Sequence, residues 1–81
     1  MAAARSLRKR SIAIAGHATS ISLEDEFWAA LREIARRRGV PLGRLIAQTD
    51  ERRRGNLSSA LRLVVLEAYR KGEMTETLEG G

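Results

Sequence analysis

The chain has 81 residues, enough for one small domain with tails, and a domain of that size buries only roughly 60% of its unfolded surface. It has no cysteine, which excludes disulfide staples, thiolate metal sites and cysteine nucleophiles. Lys and Arg number 15 against 10 Asp and Glu, a formal net charge of +5, and all the bases except Lys9 and Lys71 are arginines, which suit bidentate contact with phosphate.

Residues 1–9 read as a loose basic arm. The stretch 1–20 is free of acids and rich in Ala and Ser, a composition shared with mitochondrial presequences. We read it as the arm of a cytoplasmic, nucleoid-associated protein, with a presequence as the rival. No apolar run approaches the length of a transmembrane helix.

From Arg10 to Ala15, Ile12 and Ile14 alternate with small residues, a period of two that predicts a strand. Gly16 interrupts, permitting a bend or bulge. A second alternation follows, with Thr19, Ile21 and Leu23 on one face and Ala18, Ser20 and Ser22 on the other.

Ser22 then reads as a helix N-cap, with Glu24, Asp25 and Glu26 in the first turn, where acids complement the dipole. Phe27, Leu31 and Ile34 recur at helical spacing, with Trp28 and Ala35 widening the stripe. The helix runs to about Arg38, and Gly39 is its expected C′ residue. Pro41 opens a shorter helix with Leu42, Leu45, Ile46 and Thr49 on one face, terminated at Gly55. Asn56 caps a third helix that is apolar almost all round, which in so small a chain implies a subunit interface. Residues 72–81 hold three acids and no base, and read as a frayed acidic tail. The expected organisation is therefore an arm over 1–9, a domain over 10–71 and a flexible tail over 72–81.

The catalytic content is low: there is no Ser-His-acid spacing, no glycine-rich phosphate loop and no His/carboxylate cluster. No catalytic residue, cofactor or metal is expected. The single histidine, His17, reads as a solvated side chain or a nucleic-acid contact. Consecutive acids at 24–26 point to different helix faces, so they suit the dipole better than a metal. Trp28 reads as core or dimer packing rather than a base-stacking platform. Three basic sets could meet a polyanion: Arg5, Arg8, Lys9 and Arg10; Arg36 to Arg38; and Arg52 to Arg54. The segment Gly55-Asn56-Leu57-Ser58-Ser59 adds a helix N-terminus with two hydroxyls, a potential phosphate site.

Taken in order, these pieces resemble the ribbon-helix-helix proteins. The resemblance rests on Thr19-Ser20-Ile21-Ser22-Leu23-Glu24 at the strand entry and on the final helix from Asn56-Leu57-Ser58-Ser59 to Leu66. A bacterial group with the pattern Gly16-His17-x-Thr19-Ser20-x-Ser22-Leu23-Glu24, then Phe27-Trp28, is especially similar, and the likeness covers about residues 10–70. It implies a mainly α fold with a short β-ribbon, an intertwined homodimer in which each subunit gives one strand, and an extra helix between the two family helices. It further implies a ribbon in the DNA major groove and a helix N-terminus on phosphate. On this chain the expected DNA-binding residues are Arg8, Lys9, Arg10, His17, Ala18, Ser20, Ser22, Asn56, Ser58 and Ser59. The expected dimer interface is Ile21, Leu23, Trp28, Leu61, Val64 and Val65. The phosphate-docking helix starts at Asn56 in the preferred mapping and at Pro41 in the alternative. The expected function is sequence-specific binding of double-stranded DNA as a dimer, as a transcriptional regulator with no membrane partner. The rivals are an antitoxin and a protein-interaction module that keeps the dimer fold with little or no DNA binding.

Overall fold

A computed structural model describes residues 7–14, 16–53 and 55–74. The elements run β1 (Leu7–Ile14), β2 (His17–Glu24), α1 (Asp25–Arg38), α2 (Leu42–Arg52) and α3 (Leu57–Arg70). The extra helix is present as α2.

The two strands form an antiparallel ribbon, from Leu7 opposite Glu24 to Ile14 opposite His17. The closing pair leaves two residues for the turn. Such turns need a positive φ, and Gly16 supplies one at 90°. Both strands of this ribbon therefore come from one chain, where the resemblance implied one strand from each of two subunits. The physical reason is local. A two-residue loop costs little closure entropy, and Ile12 and Ile14 give β1 an apolar edge to bury. Arg8 and Lys9, read from sequence as arm residues, are thus strand residues; residues 1–6 lie outside the described ones.

Residues paired across the ribbon share a face. Ile14, Ile21 and Leu23 turn toward the helices and are buried, with Ile12 packed beside them. Lys9, Ser11, Ala13, Ala18 and Ser20 occupy the opposite face and are exposed. Trp28 of α1 fixes β1 in place: its ring is 1% exposed and its indole Nε1 donates to the Arg8 carbonyl at 2.9 Å.

Ser22 does not cap α1. The strand continues through Glu24, the N-cap residue, which makes no capping side-chain bond. Leu23 is fully buried, and the Glu24 carboxylate is held by Arg62 of α3 at 3.0–3.2 Å, so extended backbone persists two residues further than the capping pattern predicts. At the other end Gly39 sits at φ 73°, and the Val40 amide returns to the Ala35 carbonyl, the left-handed stop expected there. Pro41 precedes α2, and Asn56 caps α3 by accepting the Ser59 amide at 3.1 Å.

Trp28, Leu31 and Ile34 of α1, Leu45 and Ile46 of α2, and Leu57, Leu61, Val65 and Ala68 of α3 close one core beneath the ribbon. Ile21, Leu23, Trp28, Leu61 and Val65, expected at a subunit interface, are consequently buried inside a single chain, and Val64 is half-buried. The extra helix α2 packs on α3 and β1 and adds Leu45 and Ile46 to this core. What stays exposed and apolar on α3 is Leu63 (60%), Leu66 (51%) and Tyr69 (47%). Residues 72–74, expected to fray, are packed: Met74 is buried, and the Glu73 carboxylate takes two bonds from Arg38 at 2.6 and 2.9 Å. Residues 75–81 lie outside the described ones.

Candidate nucleic-acid interface

The two-residue turn fixes every pairing in the ribbon, so its outer face follows directly. Lys9 lies opposite Ser22, Ser11 opposite Ser20, and Ala13 opposite Ala18. Of the sequence-predicted contacts, Lys9, Ala18, Ser20 and Ser22 share this face. Ser11 and Ala13 also belong to it and were not anticipated; the signal was the turn itself, which sets the register once Gly16 is placed between the strands. The face is built mostly of small side chains, with Lys9 as its cation and Leu7 exposed at its end. It presents hydroxyls that can both donate and accept, on a ribbon slim enough for a major groove.

Arg8, Arg10 and His17 alternate onto the other side of the ribbon. The Arg8 Nε bonds Asp25 at 2.7 Å, which lifts the guanidinium further and holds the Asp25 carboxyl below its ordinary range. Arg10 stacks on the Trp28 ring, 5.3 Å from its centroid. His17 begins β2, exposed beside the turn.

The N-terminus of α3 meets the ribbon through Ser58, whose hydroxyl donates to the Ser22 carbonyl at 3.1 Å. Asn56 is occupied by the Ser59 amide. Two of the three side chains read from sequence as phosphate ligands therefore have structural work, and the third, Ser59, stands exposed beside them. The Pro41 end of α2 carries no side-chain cap.

The other basic sets are largely compensated. Arg36 and Arg37 both bond Glu33, and together they depress its carboxyl. Arg38 pairs with Glu73 and does the same. Arg53 pairs with Asp50 at 2.6 Å. Arg54 lies outside the described residues. No described helix is long and apolar enough to cross a membrane, and no three metal-ligating side chains gather among the described residues.

The chain is similar to an uncharacterized protein from Bordetella pertussis Tohama I, with 35% identity and a TM-score of 0.64. The match covers 76% of this chain and 54% of that one, so this chain spans about half the length of its relative. No curated protein matches. The ribbon-helix-helix domain, typical of DNA-binding or regulatory dimers and generally without enzymatic activity, matches residues 7–69. With the ribbon, its connecting helices and that match all in the same span, the chain belongs to the ribbon-helix-helix domain family.

Proposed function

We propose that this chain binds double-stranded DNA as a homodimer and acts as a transcriptional regulator, with the outer face of the ribbon in the major groove. The observation that carries this reading is the face formed by Lys9, Ser11, Ser20 and Ser22, which the register aligns on one side of the ribbon opposite the packed isoleucines. A base-reading surface has to be held rigidly. Here the buried face, the Trp28 bond to Arg8 and the Ser58 bond to Ser22 hold it at both edges. At the α3 end, the exposed Ser59 hydroxyl and the first-turn amides not taken by Asn56 are the groups offered to phosphate. The dimer of this reading forms on the exposed α3 stripe of Leu63, Leu66 and Tyr69, because all the residues first expected there except Val64 are already buried.

A second reading is a protein-interaction module, antitoxins included. It is favoured by the small side chains of the outer face and by a groove between α2 and α3, floored by Leu45 and Val64 and rimmed by Arg52 and Lys71. Fluorescence anisotropy with a random duplex pool decides between them. DNA binding predicts saturable binding at about 50 mM salt that weakens steeply by about 200 mM, with a log–log slope of about −0.9 per phosphate neutralised. Lys9→Ala should weaken it. Absence of binding at the lower salt would leave the interaction module as the reading to pursue.

A further inference from the structure

The arginines differ in whether a carboxylate holds them. Arg8, Arg36, Arg37, Arg38, Arg53, Arg62 and Arg70 each have a carboxylate at ion-pair distance. Arg10, Arg32, Arg44 and Arg52 have none among the described residues, and all four are exposed. Of these, Arg10 lies over Trp28, and Arg32 follows Trp28 by one turn of α1. On α1, Asp25, Trp28 and Arg32 recur at i, i+3 and i+7, the spacing that puts side chains on one helix face. Arg10 lies over Trp28, and Arg8 reaches Asp25. Asp25 pairs with Arg8 at 2.7 Å, and that bond, with the charges of Arg10 and Arg32, holds its carboxyl below the ordinary range.

The arrangement is more ordered than a run of surface arginines. Arg10 is drawn to the face of the indole, its guanidinium carbon 5.3 Å from the ring centroid, while its charge stays intact. Arg8 is held by its ion pair and by the Trp28 bond to its own carbonyl. Arg32 follows Trp28 by one helical turn. Guanidinium groups fixed in this way present donor edges to an anion without a large loss of rotamer freedom on binding.

We propose that Arg8, Arg10 and Arg32 form a phosphate-binding flank beside the ribbon, which takes the DNA backbone bordering the groove that the Lys9 face enters. This rests on the DNA-binding reading above. It adds a contact on the helix side of the ribbon, supplied by α1 rather than by the N-terminus of α3. Asp25 is a positioning residue: it aims Arg8 and competes with phosphate for it. Removing its charge should therefore strengthen binding, the opposite of what a purely structural ion pair predicts.

The test is anisotropy with a labelled duplex across about 50–200 mM salt, on wild type, Lys9→Ala, Arg32→Ala, Arg10→Ala/Arg32→Ala and Asp25→Asn. Circular dichroism serves as a folding control. The double variant should bind roughly tenfold or more weakly, with the slope reduced by about 0.9 for each phosphate that is no longer neutralised. Arg32→Ala removes an exposed side chain that holds no carboxylate, so it tests the flank even if loss of Arg10 loosens β1. Asp25→Asn should bind more tightly. If wild type binds and Lys9→Ala weakens it while Arg32→Ala and the double variant keep the wild-type slope, the flank is overturned and the ribbon reading stands. If wild type does not bind duplex at the lowest salt, both are overturned.

Discussion

Replacing Trp28 with phenylalanine tests how β1 is held to the rest of the chain. The indole is 1% exposed, donates to the Arg8 carbonyl at 2.9 Å and lies beneath Arg10. Phenylalanine keeps an aromatic ring but deletes the donor, leaving a partly buried carbonyl without that bond, at a cost of about 1 kcal/mol. The smaller ring leaves unfilled space in the core, worth roughly another 1 kcal/mol. The sum is about 2 kcal/mol, and for a domain of this size that lowers Tm by about 8–16 °C. Urea unfolding followed by far-ultraviolet circular dichroism measures it, with protein concentration fixed because any dimer makes the midpoint concentration-dependent. Arg44→Ala, an exposed change, should stay within about 0.5 kcal/mol and serves as the control. Hydrogen exchange adds a local readout: amides of β1 should lose more protection than those of α3. A Trp28→Phe protein within about 0.5 kcal/mol of wild type, with β1 protection unchanged, would refute the claim that this indole anchors the ribbon.

Asn56→Ala removes the side chain that caps α3 through the Ser59 amide, and should cost about 1 kcal/mol in chemical denaturation. Gly39→Ala places a β-carbon on a residue at φ 73°; the space around it is open, so the expected loss of about 1 kcal/mol is purely conformational and should appear in the same assay. Leu66→Glu should leave a monomer's stability nearly unchanged, because the residue is 51% exposed, but it should abolish a dimer built on α3; sedimentation of the variant beside wild type reads this, and an unaltered dimer would remove α3 from the interface. The folded carboxyls of Asp25, Glu33 and Glu73 are all depressed by arginine partners. Depressed acids contribute stability that is present above the unfolded carboxylate pKa of about 4 and lost as pH falls through the folded values, so Tm should drop between about pH 5 and pH 2. Glu73→Gln should shrink that acid-side drop, and an unchanged pH profile would contradict the Arg38–Glu73 pairing.

The elements themselves were legible in the sequence because their signals are local. Pro41, Gly39 and Asn56 mark helix boundaries through backbone chemistry that needs no tertiary partner, and the alternation at Ile12, Ile14, Ile21 and Leu23 names the apolar side of each strand. The ribbon-helix-helix order followed from those pieces. Long-range packing decided the rest. Ser22 carries an ordinary N-cap signal, yet burial of Leu23 and the Arg62 hold on Glu24 keep the backbone extended past it. An almost entirely apolar α3 does not reveal which neighbour covers each side. Only the packed fold shows that Leu61 and Val65 are buried within the chain while Leu63 and Leu66 stay exposed. The same holds for the charges. A run of arginines looks uniform in sequence, but the fold pairs Arg36, Arg37 and Arg38 with Glu33 and Glu73, and brings Arg10 of β1 over Trp28 of α1. Residue type and spacing determine what a segment prefers. Which side chains share a carboxylate, a ring or solvent depends on distances across the chain, and those exist only after folding.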